Sequence, residues 1–480
     1  MILRALGSSP AAIHWGAQIY SLGTLAVVFA LGRRLFSPLA GLAAAAFAAL
    51  LGADHSLLAN AANTETFMIL PLAGALLATL VAVERDAARW ALAAGALSMA
   101  AVLFKQVAVT NLVFCALWIV RSARRKGALA SAFAAGGALA LLPVLAYFAL
   151  AGAWDAFLDA TVGHNLRYSS RVGLAEYPGL FWFSFRKILG SFWPIGILAL
   201  IGAARRGGDV GGTSRPADGG GAGEGGAPRP DAVAIVGAWG LFAFLGVAMG
   251  GYFREHYFLQ MAPAVALLAG RGVEALPAPS RWRPSGRKVA LWAAAAAIAL
   301  TILASPWYYL RRGPEEKCRR IYGDNPFPES LLVGRYLAER TRPEDTIFVF
   351  GSEPQILAYA GRRSASRYIF VYPLMGPFED ARARQGVVLE DLEQNRPRYI
   401  VTVFVPNSFL FSETTHTEVF RGIEGLLASS YRVVAATPYR WVSPHPFIAG
   451  ETLLGIWNAT PMTFGGPTWA SMVIWERAEA

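Results

Sequence analysis

A chain of 480 residues with 55% hydrophobic and 16% charged residues and a mean hydropathy of +0.41 is too apolar for a water-soluble protein and too long for one helical bundle without appendages. Much of its net charge of +11 sits in short loops beside apolar segments, where it sets topology and meets anionic headgroups. Nucleic acid is excluded as a partner, since no basic, aromatic-interleaved surface accompanies that charge. The two cysteines, Cys115 in an apolar helix and Cys318 beyond the last one, supply neither a disulfide nor a metal framework.

A membrane span takes about 20 apolar residues, fewer when tilted or flanked by snorkelling groups. On that basis spans are predicted at residues 12–31, 39–53, 66–83, 88–104, 106–120, 129–150, 180–203, 232–250, 255–270 and 288–308. The division at Lys105 is the least marked. The intervening loops alternate between two chemistries. Arg33-Arg34, Arg121 to Lys126, Arg205 to Arg229 and Arg271 to Lys288 are basic and plain, which the positive-inside rule assigns to the cytoplasm. Met1 and the loops holding histidines, carboxylates and aromatics then face outward. Gly207 to Pro230 is Gly-rich with scattered charge and reads as a disordered cytoplasmic loop.

From Arg311 onward hydrophobic runs become short, alternating and β-branched. This predicts a soluble α/β domain over 311–480, after a membrane domain over 1–310. Leu331 to Arg340 reads as an amphipathic helix and Thr346 to Phe350 as a buried strand closed by Gly351. Ser352 would cap a helix running through Ala360, and further strands are expected at Tyr399 to Val405, Arg432 to Ala436 and Met472 to Trp475. An even span count puts this domain outside the cell membrane.

The residues with chemistry gather on the outer side. Glu65, at the mouth of the third span, is either a helix-capping group with Asn63 or Thr64, or a carboxylate that positions an acceptor, a metal or a base. Lys105 interrupts an apolar run on the side where the rule disfavours cations. An unpaired ammonium there costs about 2.5–3.5 kcal/mol, so it snorkels or holds an anion such as phosphate. The loop from Gly152 to Tyr177 contains His164, Asn165, Arg167, Tyr168, Arg171 and Glu176, and Arg186 and Lys187 follow early in the next span. This cluster suits a metal, a proton transfer or a phosphate. Arg254, His256 and Tyr257 lie in a tight outer link between two spans and together suit a phosphate diester, with Glu255 paired to an arginine. Together these residues predict an outward-facing cationic cavity at the lipid boundary with one carboxylate, fitting a phosphate-bearing lipid. No nucleotide-binding Gly-rich loop, zinc-spaced His pair or serine nucleophile elbow accompanies it.

These motifs resemble the glycosyltransferase family 39-like enzymes of the GT-C membrane class, which include protein mannosyltransferases and the aminoarabinose transferase of lipid A. The resemblance rests on Leu31-Gly-Arg-Arg-Leu-Phe36, Ala62-Asn-Thr-Glu-Thr-Phe-Met68, Phe104-Lys-Gln106 and His256-Tyr-Phe-Leu-Gln-Met-Ala-Pro263. Phe350-Gly-Ser-Glu-Pro-Gln-Ile356 with Gly361-Arg-Arg-Ser-Ala-Ser-Arg-Tyr368 looks like the outer domain of bacterial members. It implies an all-α polytopic bundle of about ten helices, GT-C-like, followed by an extracytoplasmic α/β domain. The implied reaction moves a sugar from a polyprenyl-phosphate carrier to a glycan, lipid or protein hydroxyl at the outer face, with inversion. By resemblance Lys105, Arg254, His256 and Tyr257 hold the donor phosphate, and Glu65 matches the second acidic position. His164 would assist a divalent metal or the acceptor; from the loop cluster itself, Asn165, Arg167 and Arg171 are expected to bind substrate.

The family's principal carboxylate lies in a first outer loop, and the opening Met-Ile-Leu-Arg-Ala-Leu-Gly-Ser-Ser-Pro looks like the end of that loop. The expectation is therefore a chain lacking its first helix and that carboxylate, either through a late start or as an inactive homologue. A transporter or flippase of lipid-linked saccharides is the alternative, although internal repeats and mid-membrane helix breaks are not evident. The Ala/Gly-rich, cysteine-poor composition points to a bacterial inner membrane.

Overall fold

The computed structural model describes residues 9–169, 172–205, 231–276, 286–311, 313–376, 378, 380–411, 415–439, 445–451, 453 and 467–478. The expected loop at 207–230 lies outside them, as do Arg171 and the side chain of His164. The chain forms two compact units, one of Ile13–Arg311 and one of Arg312–Ala480 with Met1–Ala12.

In the unit Ile13–Arg311, helices lie at all ten segments expected to span: α1 (Pro10–Leu35), α2 (Pro38–Leu51), α3 (Thr64–Arg85), α4 (Ala88–Phe104), α5 (Val109–Ser122), α6 (Lys126–Leu150), α7 (Tyr177–Ala204), α8 (Ala232–Ala248), α9 (Ala262–Glu274) and α10 (Gly286–Ala304). Among the described residues five helices are long and apolar enough to cross a membrane, beginning at Pro10, Thr64, Lys126, Leu174 and Gly286. They make this a multi-pass membrane protein. The others are shorter than a full crossing. The expected span 255–270 is divided, since Glu255–Met261 forms a 3-10 helix and α9 begins only at Ala262, with Pro263 in its first turn.

Local chemistry sets the helix ends. The Ser37 hydroxyl accepts the N–H of Ala40 at 3.0 Å and Pro38 takes the first position of α2. Asp231 caps α8 by accepting the N–H of Val233 at 2.9 Å. α4 stops because Lys105 adopts an extended backbone (φ −156°, ψ 129°), and a short 3-10 turn leads from it into α5.

In lipid the helices gain little from hydrophobicity against one another, so close approach and buried polar bonds hold them together. α4 and α6 meet backbone to backbone: a Cβ on Gly95 would stand 1.8 Å from the Phe133 carbonyl oxygen, and one on Gly136 1.9 Å from that of Leu92. Only glycine fits either place. Trp239 of α8 donates its indole N–H to Asn111 of α5 at 2.7 Å, with both side chains buried. Buried Arg271 of α9 donates to the Gly202 carbonyl of α7.

The second unit carries α11 (Pro314–Tyr322), α12 (Phe327–Arg340), β1 (Thr346–Phe350), α13 (Gln355–Ala360), β2 (Arg363–Ser364), α14 (Tyr372–Met375), α15 (Ala381–Asn395), β3 (Tyr399–Val403), α16 (Glu418–Ser430), β4 (Tyr431–Pro438), β5 (Ile448–Ala449) and β6 (Ala470–Arg477). The sheet order is β2-β1-β3-β6-β4-β5; β1 runs parallel to β2 and β3, whereas β6 is antiparallel to β3 and β4. Val349 lies opposite Val401, which lies opposite Ile474. Alternation along β1 sends Phe348 and Phe350 into one core and Ile347 and Val349 into the other. β3 is buried along its whole length, as a strand covered on both faces must be.

The expected strand Thr346 to Phe350 is found as read, and the other three expected strands lie within one to two residues at most of their ends. Ser352 is not the cap expected of it. Pro354 precedes the first turn of α13, and the Ser352 hydroxyl has no hydrogen-bond partner among the described residues. Glu353 is 4% exposed and accepts a 2.7 Å hydrogen bond from the Ser408 hydroxyl, which in turn accepts the N–H of Ser352 at 2.7 Å. Burial pushes the Glu353 carboxyl up to about 7. Arg362 donates to the carbonyls of Ala338 and Thr341 at the end of α12, and Arg367 pairs with Asp391 at 3.2 Å. These two arginines have bonds within the unit that fasten its helices to its loops.

Candidate functional site

Three stretches far apart in sequence converge in the first unit. Glu65 occupies the first turn of α3, where the helix N-terminus favours a carboxylate. It is 2% exposed. Asn63, at the cap position of α3, makes no side-chain cap and donates instead to the Leu58 carbonyl at 2.9 Å.

Lys105, at the break between α4 and α5, directs its ammonium onto Glu65 Oε1. The same ammonium lies 3.8 Å from the centroid of the Tyr257 ring. Lys105 is thus held by a carboxylate and an aromatic face rather than by snorkelling to the surface. His256 Nε2 stands 4.0 Å from Glu65 Oε1, and its ring meets Tyr257 edge-on at 4.7 Å. His256 Nδ1 is buried without a partner among the described residues. A buried polar atom of that kind calls for a bound group or water.

Residues 250–257 are forced into place by their surroundings. Gly251 has φ +72°, and a Cβ there would lie 2.8 Å from the Tyr177 ring. Phe253 follows in a left-handed conformation unusual for an aromatic residue, at φ +45°. It is 3% exposed and packs edge-on against Tyr177 and Phe181. Packing this complete can hold a conformation costing about 1–3 kcal/mol. Glu255 pairs with Lys187 of α7 at 2.6 Å, not with an arginine as the sequence led us to expect. Arg254 is exposed, its guanidinium 5.9 Å from the Tyr252 ring.

The structure therefore brings together Glu65, Lys105, His256 and Tyr257, with Arg254 at the rim. The loop cluster is engaged locally: Asn165 donates to Thr161 at 2.9 Å, and Arg167 pairs with Asp159 at 2.6 Å. Among the described residues no group of three or more His, Cys, Asp or Glu side chains is placed to hold a metal.

Sequence reasoning missed a second buried carboxylate. Asp54, between α2 and α3, is fully buried. It accepts the N–H of Ser56 at 2.7 Å and the hydroxyl of Tyr309 at 2.6 Å. Burial raises its pKa, but the bonds from His55, Tyr309 and Ser56 outweigh that and hold it below the usual range. Tyr308 donates to the Ala53 carbonyl at 2.7 Å, and the His55 ring meets Trp307 at 4.6 Å. The turn after α10 thus clamps the loop that leads to Glu65. A carboxylate beside a histidine in an apolar loop was the available signal; its partner, 255 residues away, had none.

Residues 1–149 match the model of a family described as dolichyl-phosphate-mannose-protein mannosyltransferase. No curated protein matches the sequence. Among solved structures, the chain resembles ArnT from Cupriavidus metallidurans, crystallised bound to undecaprenyl phosphate, with a TM-score of 0.51 and 15% identity over 98% of this chain and 85% of that one. It also resembles the Archaeoglobus fulgidus oligosaccharyltransferase tethered to an acceptor peptide (TM-score 0.47, 11% identity, 99% of this chain and 79% of that one). The archaeal oligosaccharyltransferase AglB of the same organism, complexed with an inhibitory peptide and a dolichol-phosphate, gives a TM-score of 0.45 at 12% identity over 97% and 77%. The resemblance read from the motifs stands: in the sequence of its first 149 residues and in its fold, the chain is similar to membrane glycosyltransferases of the GT-C class.

Proposed function

We propose that the chain is a glycosyltransferase that takes a sugar from a polyprenyl-phosphate carrier and passes it, with inversion, to an acceptor hydroxyl. The observation that carries this reading is the contact of Lys105 with both Glu65 and Tyr257, with the unpartnered His256 Nδ1 beside them. The matched family's description names dolichyl-phosphate mannose, a donor of this kind.

In the proposed step the acceptor oxygen attacks the anomeric carbon as the bond to the phosphate oxygen breaks. The electron pair leaves with the polyprenyl phosphate, and the charge developing on its oxygens is met by Lys105, with Arg254 at the rim. Glu65 orients the attacking hydroxyl or takes its proton. His256 turns its Nε2 toward Glu65 at 4.0 Å. The Lys105–Glu65 pair also keeps either charge from standing alone in a buried place before the donor arrives.

The same reading puts the site on the outer face of a bacterial inner membrane and the second unit on the extracytoplasmic side, supported by the basic loops at the opposite helix ends. The test is transfer from a radiolabelled polyprenyl-phosphate sugar by the purified chain in lipid vesicles. Donor binding without any transfer, across a panel of acceptors, would overturn the enzyme in favour of a transporter.

A further inference from the structure

A second feature of the membrane unit lies away from this site. α4 and α6 approach through Gly95 and Gly136, and this leaves a gap on the side of α6 that faces α5. A cavity of about 340 Å³ results, its walls almost wholly apolar, lined by Met99, Leu112, Ala116, Val120, Ala134 and Gly137 among others. Along α5 it runs from Leu112 to Val120, about 12 Å at the rise of an α-helix. Ala134 and Val120 are exposed on its lip, so it opens sideways to the lipid phase.

At one end this groove meets a concentration of positive charge. Arg121 follows Val120 directly, and Arg124 and Lys126 complete the turn into α6; all three side chains are exposed. Arg125 pairs with Asp86 at 2.7 Å, and among the described residues no other cation of this turn has an ion pair within 4 Å. α6 begins with no acidic residue in its first turn and no side-chain cap, so its first N–H groups and its dipole add to the same positive field. An apolar slot with a cationic mouth matches one kind of molecule in a bilayer, a lipid with an anionic headgroup.

We propose that this groove holds an acyl chain of an anionic phospholipid, with the phosphate taken by Arg121, Arg124, Lys126 and the free N–H groups that open α6. The site is independent of the transfer reaction and stands or falls without it. The small side chains Ala116, Ala130, Ala134 and Ala138 give the groove its width.

The test uses the full chain in detergent, stripped of lipid and titrated with phosphatidylglycerol or phosphatidylcholine, with bound lipid counted by native mass spectrometry. One phosphatidylglycerol should bind in preference to phosphatidylcholine. The triple variant Arg121→Gln, Arg124→Gln, Lys126→Gln should weaken it on the order of 100-fold, at roughly fivefold per cation near the surface. Ala134→Phe should fill the groove and lose the same lipid; since its bulk could disturb folding, the triple variant, which alters only exposed side chains, decides the matter alone. Equal binding of the two lipids, an unaltered affinity in the triple variant, or capture of polyprenyl phosphate in preference to phosphatidylglycerol by these residues would each overturn the proposal.

Discussion

The ammonium of Lys105 is bonded to the buried carboxylate of Glu65 and covered by the ring of Tyr257 at 3.8 Å. Removing one partner of such a pair strands the other in a place water does not reach, at a cost of about 3–5 kcal/mol. Lys105→Met is therefore expected to lower the melting temperature of the purified chain and abolish transfer. The double variant Lys105→Met, Glu65→Gln should recover most of the melting temperature and none of the activity. Equal melting of the single and double variants would show that the two charges do not depend on one another.

Tyr257 acts through its ring face. A cation over an aromatic ring is worth about 0.5–2 kcal/mol, depending on how far it is desolvated. Tyr257→Phe should retain the position of Lys105 and most of the affinity for the donor, whereas Tyr257→Leu should raise the donor KM several-fold. A Phe variant as impaired as the Leu variant would assign the role to the phenolic hydroxyl.

The clamp on Asp54 can be probed separately from the Lys105–Glu65 pair. Tyr309→Phe deletes one hydrogen bond to a buried carboxylate and should cost about 1–3 kcal/mol. The Asp54 carboxyl is held below its ordinary 3.8, so its stabilising contribution is complete above that pH and is lost as the pH falls through the lower folded-state value. Thermal melts of wild type between pH 7 and pH 3 should show that loss, and Asp54→Asn should flatten it.

Glu353 has the opposite sign. Its carboxyl is raised from 4.5 to about 7, so the folded chain prefers the protonated form. Stability is highest below 4.5, declines as the pH rises through about 7, and is level above it, a span of about 3 kcal/mol. Glu353→Gln should remove this decline in urea unfolding of the second unit followed by tryptophan fluorescence. A wild-type curve flat between pH 5 and pH 8 would refute the burial of a titrating carboxyl.

Much of the helix framework was legible because apolar runs broken by charge are the strongest pattern a membrane chain displays. Lys105 marks the break between α4 and α5 for the same reason that it marks the site: a cation in an apolar run must have a partner. Glu65 and the His256-Tyr257 pair were visible as polar groups at span ends, but their meeting was not, since 40 residues separate Glu65 from Lys105 and no periodicity records the fold between them. Span 255–270 was misread as continuous because hydropathy does not tell a 3-10 turn from an α-helix. The Asp54–Tyr309 bond was invisible for the same reason as the contact of Gly95 with Phe133: both belong to the packing of distant helices. Ser352 is a residue type that fits a cap, but Pro354 places the helix start beyond its reach.

The glycine contact between α4 and α6 has a mechanical consequence. With backbone against backbone at Gly95 and Gly136, neither helix can slide or roll without the other, so the two behave as a single stiff rod. Lys105 is mounted at one tip of that rod, and the basic turn that opens α6 at Lys126 is at the opposite tip. A side chain at either glycine would have to part the two helices, and Lys105, which ends α4, would be carried away from Glu65 with it.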